Sequence, residues 1–388
     1  MDDDLNQSLA ATRDAARDLA RCGDAAIRAV LEDLAQRALR AADEILAANR
    51  SDLARMPESD PKYDRLLLNE SRLRTICDDL RAVAALPCPV GEVLERRTLA
   101  NGLRLTKLRV PIGVIAVIFE SRPNVTFDVV ALCLKTLNAC VLKGSSDADD
   151  TNRVVVRLIH ETLAAHDLNP NAVYLAPPGR EWLPRILQAV GYIDLAIPRG
   201  SQALIDFVRD NARIPVIETG AGIVHTYVDA SADLDKARAI VTNAKTRRVS
   251  VCNALDTLLI HRGLLPQLPA LMREMGGNHG VEVFADKDAY AVLEGQYAGP
   301  LNPAREEHFG QEFLALKLSI KTVSGLDEAL DHIARHSSKH SEAVVAEDPA
   351  VIERFLREVD AAAVYANAST AFTDGGQFGM GAEIGIST

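Results

Sequence analysis

Residues 110–119 read Val-Pro-Ile-Gly-Val-Ile-Ala-Val-Ile-Phe, an unbroken apolar and largely β-branched run. No polar residue alternates with the apolar ones, so a strand made from it must be covered on both faces, the situation of a parallel sheet layered by helices. The chain after it keeps that rhythm. The patterning predicts a helix over 128–137, a strand over 139–142, a helix over 147–165, a strand over 172–176 and a helix over 181–190. A strand over 193–197, a helix over 201–211 and a strand over 214–218 complete a doubly wound α/β unit that runs to about residue 228. A second α/β unit opens with a helix at Leu234 and takes in strands over 257–260 and 315–322 and helices over 326–334 and 350–359. Ahead of the first strand, Ile27, Val30, Leu31, Leu34, Ala38, Leu39, Ala42, Ile45 and Leu46 recur at three-and-four spacing, which predicts an amphipathic helix over 24–49. A further helical pattern over 66–86 is broken by Pro87, Pro89 and Gly91, and residues 99–109 alternate around Asn101-Gly102 as a hairpin or extended arm.

A length of 388 residues suits two or three domains, and 48% hydrophobic with 25% charged residues marks a soluble globular chain. The net charge of −11 repels nucleic acid and anionic lipid, and with no basic patch in the sequence a small-molecule substrate is the better expectation. Six cysteines stand without metal or disulfide-framework spacing, pointing to a reducing compartment and so to the cytoplasm. The start, Met1-Asp-Asp-Asp4, is acidic where a secretory signal is basic, and the longest apolar run is too short to span a bilayer.

Among the cysteines, Cys252 has a distinct setting. It is flanked by small polar residues, follows Lys245, Arg247 and Arg248, and precedes a strand. If those cations fold around it they favour the nucleophilic thiolate, whereas a buried apolar role is the alternative for any single cysteine and the default for the other five. After the strand over 139–142, Lys143-Gly-Ser-Ser-Asp147 opens a helix, so Lys143, Ser145 and the helix's N–H groups suit an anionic or ribose group, or Ser145 or Ser146 simply caps. Pro198-Arg-Gly-Ser-Gln202 repeats the arrangement, and two such strand ends suit a dinucleotide, although no G-x-G-x-x-G fingerprint is present. Asn124, just after the strongest strand, offers an amide N–H to a developing oxyanion, or forms a turn after Pro123. His332, His336 and His340 have metal-ligand spacing, but Ser337 and Ser338 end the helix, no carboxylate or cysteine joins them, and an exposed polar face accounts for them; no metal site is expected.

Taken together, residues 110–115, Phe119-Glu-Ser-Arg-Pro-Asn-Val-Thr126, Ile214-Pro-Val-Ile-Glu-Thr-Gly220, Ser250-Val-Cys-Asn-Ala254, Asn367-Ala-Ser-Thr370 and Phe372-Thr-Asp-Gly-Gly376 resemble, in order, the aldehyde dehydrogenase superfamily. The resemblance covers nearly the whole chain and is closest to the acyl-phosphate-reducing branch, the γ-glutamyl phosphate reductases (glutamate-5-semialdehyde dehydrogenases). It implies an aldehyde-dehydrogenase-like α/β fold: a cofactor-binding domain over 1–228 with a β arm about 95–110, a catalytic domain over 229–365, and a segment over 366–388 returning to the cofactor domain and the oligomerisation arm. It also implies reduction of L-glutamyl 5-phosphate by NADPH to glutamate 5-semialdehyde and phosphate, the second step of proline synthesis from glutamate, through a thioester. Cys252 is then the nucleophile, Asn124 the oxyanion donor, Lys143 a contact to the adenosine ribose with Ser145 beside it, Gly200 and Ser201 neighbours of the pyrophosphate, and Glu312 a partner of the nicotinamide ribose. Glu218 aligns with the glutamate that activates water in hydrolytic relatives, and here is structural, a cofactor neighbour or a proton carrier. Arg122, Arg247, Ser250, Ser369 and Thr370 are candidates for the substrate, with Arg247 and Arg248 suited to the leaving phosphate.

The chain departs from the family pattern at Ala371, where arginine is usual, at Val249, where proline is usual, at Gly144-Ser145 in place of a glycine pair, and at Ser387-Thr388, where relatives continue. A homo-oligomer, dimer or tetramer, is expected by resemblance, with a glutamate 5-kinase as supplier of the labile substrate. A hydrolytic NAD-dependent aldehyde dehydrogenase using Glu218 as base, and a non-catalytic interaction protein on the same scaffold, are the alternatives.

Overall fold

The computed structural model describes residues 2–60, 62–218 and 221–384. It divides into two compact units. One takes the chain as far as Glu218 and takes it up again at Gly381; the other occupies the stretch between.

The first unit opens with the helices Asp2–Leu19, Asp24–Arg40 and Ala42–Leu53, followed by Glu70–Ala85. The helix expected over 24–49 is thus two helices, parted at Ala41, whose backbone leaves the helical basin at φ −92° and ψ 15°. Strands β1 (Val93–Thr98) and β2 (Arg104–Leu108) pair antiparallel as an exposed hairpin across the Asn101-Gly102 turn. Next come β3 (Val114–Phe119), β4 (Ala139–Lys143), β5 (Val173–Leu175) and β6 (Leu195–Arg199), which form a parallel sheet in the order β5-β4-β3-β6. Every residue of β3 and β4 is buried, as an unalternated apolar strand requires. Helices Pro123–Lys135 and Asp149–Ala165 cross over between these strands. The strand expected over 214–218 is reduced to one bridge, Ala196 to Val216, because Pro215 has no N–H to extend the ladder.

The second unit is built on seven parallel strands: β7 (His225–Val228), β8 (Thr257–His261), β9 (Glu282–Ala285), β10 (Leu301–Pro303), β11 (Lys317–Val323), β12 (Ser341–Val345) and β13 (Ala363–Ala366). Their order is β10-β9-β11-β8-β7-β12-β13. Residues 225–228, expected to close the first unit, instead form a strand central to the second sheet, paired with β8 and β12. Helices Leu234–Thr246, Leu326–His336 and Pro349–Glu358 cover its faces. Of the segment over 366–388 expected to return, residues 366–380 stay with the second unit and the part from Gly381 packs Ile384 onto the first unit's core; residues 385–388 lie outside the described residues, as do Thr219 and Gly220 of the 214–220 motif.

Candidate active site

In the first sheet the chain moves outward from β3 through β4 to β5, then returns to place β6 on β3's other side. The carboxyl ends of β3 and β6 therefore flank a topological switch point, the usual ligand position of an open α/β sheet. Glu120, Ser121 and Arg122 leave β3 there, and Arg199, Gly200 and Ser201 leave β6. Ser121 turns at φ 22°, a conformation that non-glycine residues rarely take. The Glu120 carboxylate accepts from the Ser201 backbone N–H at 3.1 Å and from its hydroxyl at 3.1 Å, so it sits at the start of helix Gln202–Asn211. Gly200 lies close beside it: a Cβ there would come 2.9 Å from both Glu120 Oε2 and Leu204 Cδ2, the ends of two side chains.

At the end of β4, Lys143 is buried and donates to the carbonyls of Gly144 at 2.9 Å and Pro178 at 2.8 Å. Burial pulls its pKa down, against the raising influence of Glu181 and Asp149. Two of its three ammonium protons are thus engaged and one remains for a ligand. Ser145 accepts from the Ser121 N–H at 3.2 Å, and Ser121 donates to Asp147 at 2.5 Å. Ser145 ties the β3 and β4 ends together rather than capping a helix by its side chain.

Asn124 lies in the first turn of helix Pro123–Lys135, with Arg122 at the N-cap, and its Nδ2 donates to Asp128 Oδ2 at 3.0 Å. Burial raises the Asp128 carboxyl to about 6, and the Arg199 guanidinium works in the opposite direction. Arg199 is itself largely enclosed, with its Nε lacking a hydrogen-bond partner. Glu218 lies 3.6 Å from Arg209 Nη1 while its Oε2 is buried without a partner.

In the second unit three strand entries meet at one edge of the sheet: Gly222 before β7, Cys252 before β8 and Glu312 before β11. Cys252 is half-buried in a turn, as the sequence suggests for an accessible thiol. Gly222 packs so closely on it that a Cβ would come within 2.1 Å of the Cys252 carbonyl oxygen. Burial raises the Glu312 carboxyl, which accepts from the Gly222 N–H, while its Oε1 is buried without a partner. Behind the turn, Asp256 accepts from the N–H groups of Phe313 at 3.1 Å and Val224 at 3.4 Å.

Lys245, which the sequence offered as a cation for the thiol, has partners of its own. It is fully buried, donates to the Leu255 carbonyl at 2.8 Å and lies 3.7 Å from Asp256. Burial dominates both partners, taking Lys245 down to about 8 and Asp256 up to about 6. Arg247 is exposed and donates to the Ala371 carbonyl at 3.1 Å; Arg248 and Ser250 are exposed. Thr370 is buried and donates to the Asn253 carbonyl at 2.9 Å, and Ser369 accepts from the Ala371 N–H at 3.2 Å. The Thr370 hydroxyl thus braces the cysteine loop and that of Ser369 caps its own turn, while Arg247 and Ser250 are exposed. Ala371 is buried, and its carbonyl is the anchor for Arg247.

The histidines at 332 and 336 are not the exposed polar face expected of them. His332 is 4% exposed and packs against His225 at 5.5 Å, Phe309 at 5.4 Å and His336 at 4.5 Å between ring centroids. The helix buries that face because β7 supplies His225 opposite it.

The aldehyde dehydrogenase family model matches residues 4–275. The γ-glutamyl phosphate reductase of Chlorobaculum parvum is 59% identical over 383 residues, covering 98% of this chain and 91% of its own. That of Chlorobium phaeovibrioides is 60% identical over 377 residues, covering 97% and 89%. The crystal structure of the Thermotoga maritima γ-glutamyl phosphate reductase superposes with a TM-score of 0.92 at 40% identity, covering 98% of this chain and 92% of that one. The chain belongs to the aldehyde dehydrogenase family, in its γ-glutamyl phosphate reductase branch. It is accordingly an oxidoreductase, and membership of the aldehyde dehydrogenase family implies a nicotinamide cofactor.

The first unit's residues fit such a group. Lys143 keeps a donor in reserve, and Arg199 Nε is a buried donor without a partner. Sequence reasoning missed Glu120, Asp128, Gly222 and Asp256. Glu120 follows a strand, Asp128 lies one helical turn beyond a candidate and Asp256 directly precedes a strand, which are usable signals; Gly222 offers none in one sequence.

Proposed function

We propose that this aldehyde dehydrogenase family member reduces L-glutamyl 5-phosphate to L-glutamate 5-semialdehyde and phosphate with NADPH, the second step in making proline from glutamate. The observation that carries the reading is identity near 60% along almost the whole chain with γ-glutamyl phosphate reductases, in a structure that presents Cys252 in a half-buried turn. The Cys252 thiolate attacks the acyl carbon, the carbon–oxygen bond to phosphate breaks, and phosphate leaves with the electron pair. Asn124 donates to the oxygen that becomes negative in that step, and Arg247 and Arg248 answer the charge of the departing phosphate. The acyl group remains on Sγ as a thioester until it is reduced and the carbon–sulfur bond breaks to free the aldehyde. When bound, the nicotinamide cofactor supplies the hydride. Lys143, Ser145, Gly200 and Ser201 would hold it in the first unit and Glu312 in the second, with Glu218 a neighbour. Thr370 supports the loop that carries Cys252, and Arg122, Ser250 and Ser369 are substrate contacts in this reading.

The enzyme works in the cytoplasm as a homo-oligomer, with Val93, Leu94, Leu103 and Leu108 of the exposed hairpin as contacts between copies, and takes its labile substrate from a glutamate 5-kinase. The test is phosphate-dependent oxidation of glutamate 5-semialdehyde. We expect turnover with NADP that requires phosphate, and none with Cys252→Ser, which still binds NADPH. Phosphate-independent oxidation with NAD, or an active serine variant, overturns the reading.

A further inference from the structure

Cys252 and Asn253 are the two central residues of a turn closed by the Ala254 N–H on the Val251 carbonyl at 3.1 Å. One such bond is a weak frame for a nucleophile, since a group on a turn is held less well than one on a helix or strand unless its surroundings brace it. Here the bracing comes from the far end of the chain. Asn253 is buried, and its Nδ2 donates to the Thr373 carbonyl at 2.9 Å and, more weakly, to the Ala371 carbonyl at 3.5 Å. Both partners can only accept, so the NH₂ end lies toward them and the amide has a single orientation. The main chain is gripped as well: the Asn253 carbonyl accepts from Thr370 Oγ1 at 2.9 Å. Residues 370–373 therefore hold Asn253 by side chain and backbone together, while Gly222 closes on the Cys252 carbonyl of the preceding peptide. The grip has a firm footing of its own. The Thr373 hydroxyl is hydrogen-bonded to Ser341 Oγ at 2.7 Å, at the start of β12, and to Tyr365 OH at 2.8 Å, on β13. Two neighbouring strands thus anchor the segment that anchors the turn.

We propose that Asn253 is a positioning residue: with Thr370 it clasps the nucleophile's turn to residues 370–373 and so fixes where the Cys252 sulfur stands. The proposal rests on the reading of Cys252 as the nucleophile. The clasp bonds protein to protein, so its loss costs rate and leaves the affinity for phosphate and cofactor in place. Loss of the clasp also uncovers a thiol that is half-buried in the intact turn. Turnover and thiol accessibility then move in opposite directions, which a general loss of stability does not produce.

The experiment measures kcat and KM in the phosphate-dependent oxidation of glutamate 5-semialdehyde, alkylation of Cys252 by iodoacetamide, and thermal unfolding. Asn253→Ala is expected to lower kcat about tenfold or more with KM for NADP and for phosphate within about twofold. Its Cys252 is expected to alkylate faster, by about threefold or more. Thr370→Val is expected to move both readouts the same way, and it carries the test should Asn253→Ala fold poorly. Because the two residues form one clasp, the double variant is expected to lose no more than about twofold in kcat beyond the worse single variant. Tyr297→Phe is the control for stability: it removes a hydroxyl bond to the Val281 carbonyl, 2.6 Å long, in the same unit and should lower the unfolding temperature without altering kcat or alkylation. In an enzyme that Cys252→Ser inactivates, full kcat or unchanged alkylation in Asn253→Ala, or losses that multiply in the double variant, overturn this proposal alone. An active Cys252→Ser variant overturns the nucleophile reading and this proposal with it.

Discussion

Gly222→Ala is the smallest change that reaches the proposed nucleophile. Its Cβ would lie 2.1 Å from the Cys252 carbonyl oxygen and 2.7 Å from its Cα, against ordinary contact from 3.4 Å. Relief requires a movement of 3.4 − 2.1, or about 1.3 Å, and the atoms in the way are backbone, which cannot swing aside as a side chain would. Forcing one methyl group into such a site costs about 1–3 kcal/mol of stability. A misplacement of about 1 Å in a catalytic group costs on the order of a hundredfold in rate. The neighbouring side moves less readily, since Gly222 donates to Glu312 and Val224 to Asp256. We therefore expect kcat/KM for phosphate-dependent semialdehyde oxidation to fall about a hundredfold, with unfolding in urea shifted by only the smaller stability term. Alkylation of Cys252 should change rate, and that of the buried Cys77, Cys133 and Cys140 should not. An alanine variant with full activity and an unaltered alkylation rate would refute the argument that this contact fixes the thiol.

Two further outcomes follow from buried or helix-end charge. Glu120 occupies the start of helix Gln202–Asn211, where a cofactor phosphate would be favoured, so Glu120→Gln should lower the KM for NADP by about two- to fivefold; an unchanged or raised KM would place the cofactor elsewhere. His332 is held down to about 2, first by burial and then by His225, His336, Lys321 and Arg335, from an ordinary value of 6.5. Its folded pKa lies below the unfolded one, so its neutral form contributes stability above pH 6.5 that drains away as pH falls. By pH 4.5 the loss is on the order of 3 kcal/mol, two pH units at about 1.36 each. His332→Leu should flatten that part of the stability curve measured by urea unfolding at stepped pH, and a slope identical to the parent's would show that His332 does not titrate on unfolding.

The strands legible in the sequence were those whose burial needs no partner to be inferred. Residues 114–119 and 139–143 are buried along their whole length and read as such from composition alone. The misreadings share a different cause. The stretch 214–218 has a strand's composition, but Pro215 lacks the N–H a ladder needs, and residues 225–228 follow the first unit closely in sequence yet pair with strands that lie far along the chain. Cys252 could be picked out because its polar neighbours are adjacent in sequence. The burial of Lys245 was not legible from the same adjacency: helix Leu234–Thr246 points it into the interior, onto Leu255 and Asp256. Gly222 was invisible because its one decisive contact is thirty residues away.

The two sheets are used in opposite senses, and that difference explains where rigidity is concentrated. In the first, the candidate residues leave the carboxyl ends of β3, β4 and β6, and are tied by short links such as Glu120 to Ser201 and Ser145 to Ser121. In the second, Gly222, Cys252 and Glu312 precede β7, β8 and β11, so they stand at the amino edge, where no run of strand-to-helix turns supplies anchoring. A single buried carboxylate takes over that work. Asp256 accepts from Val224 and Phe313, and its own carbonyl accepts from Ser319 at 2.8 Å, so the entries to three adjacent strands share one residue. Its cost is visible in the direction of the shifts: burial raises Asp256 and lowers Lys245 despite their attraction, so the pair is a net expense in charge desolvation. A fold retains such a pair where the alternative, apolar packing, would leave two backbone N–H groups unsatisfied and the nucleophile's loop without a fixed origin.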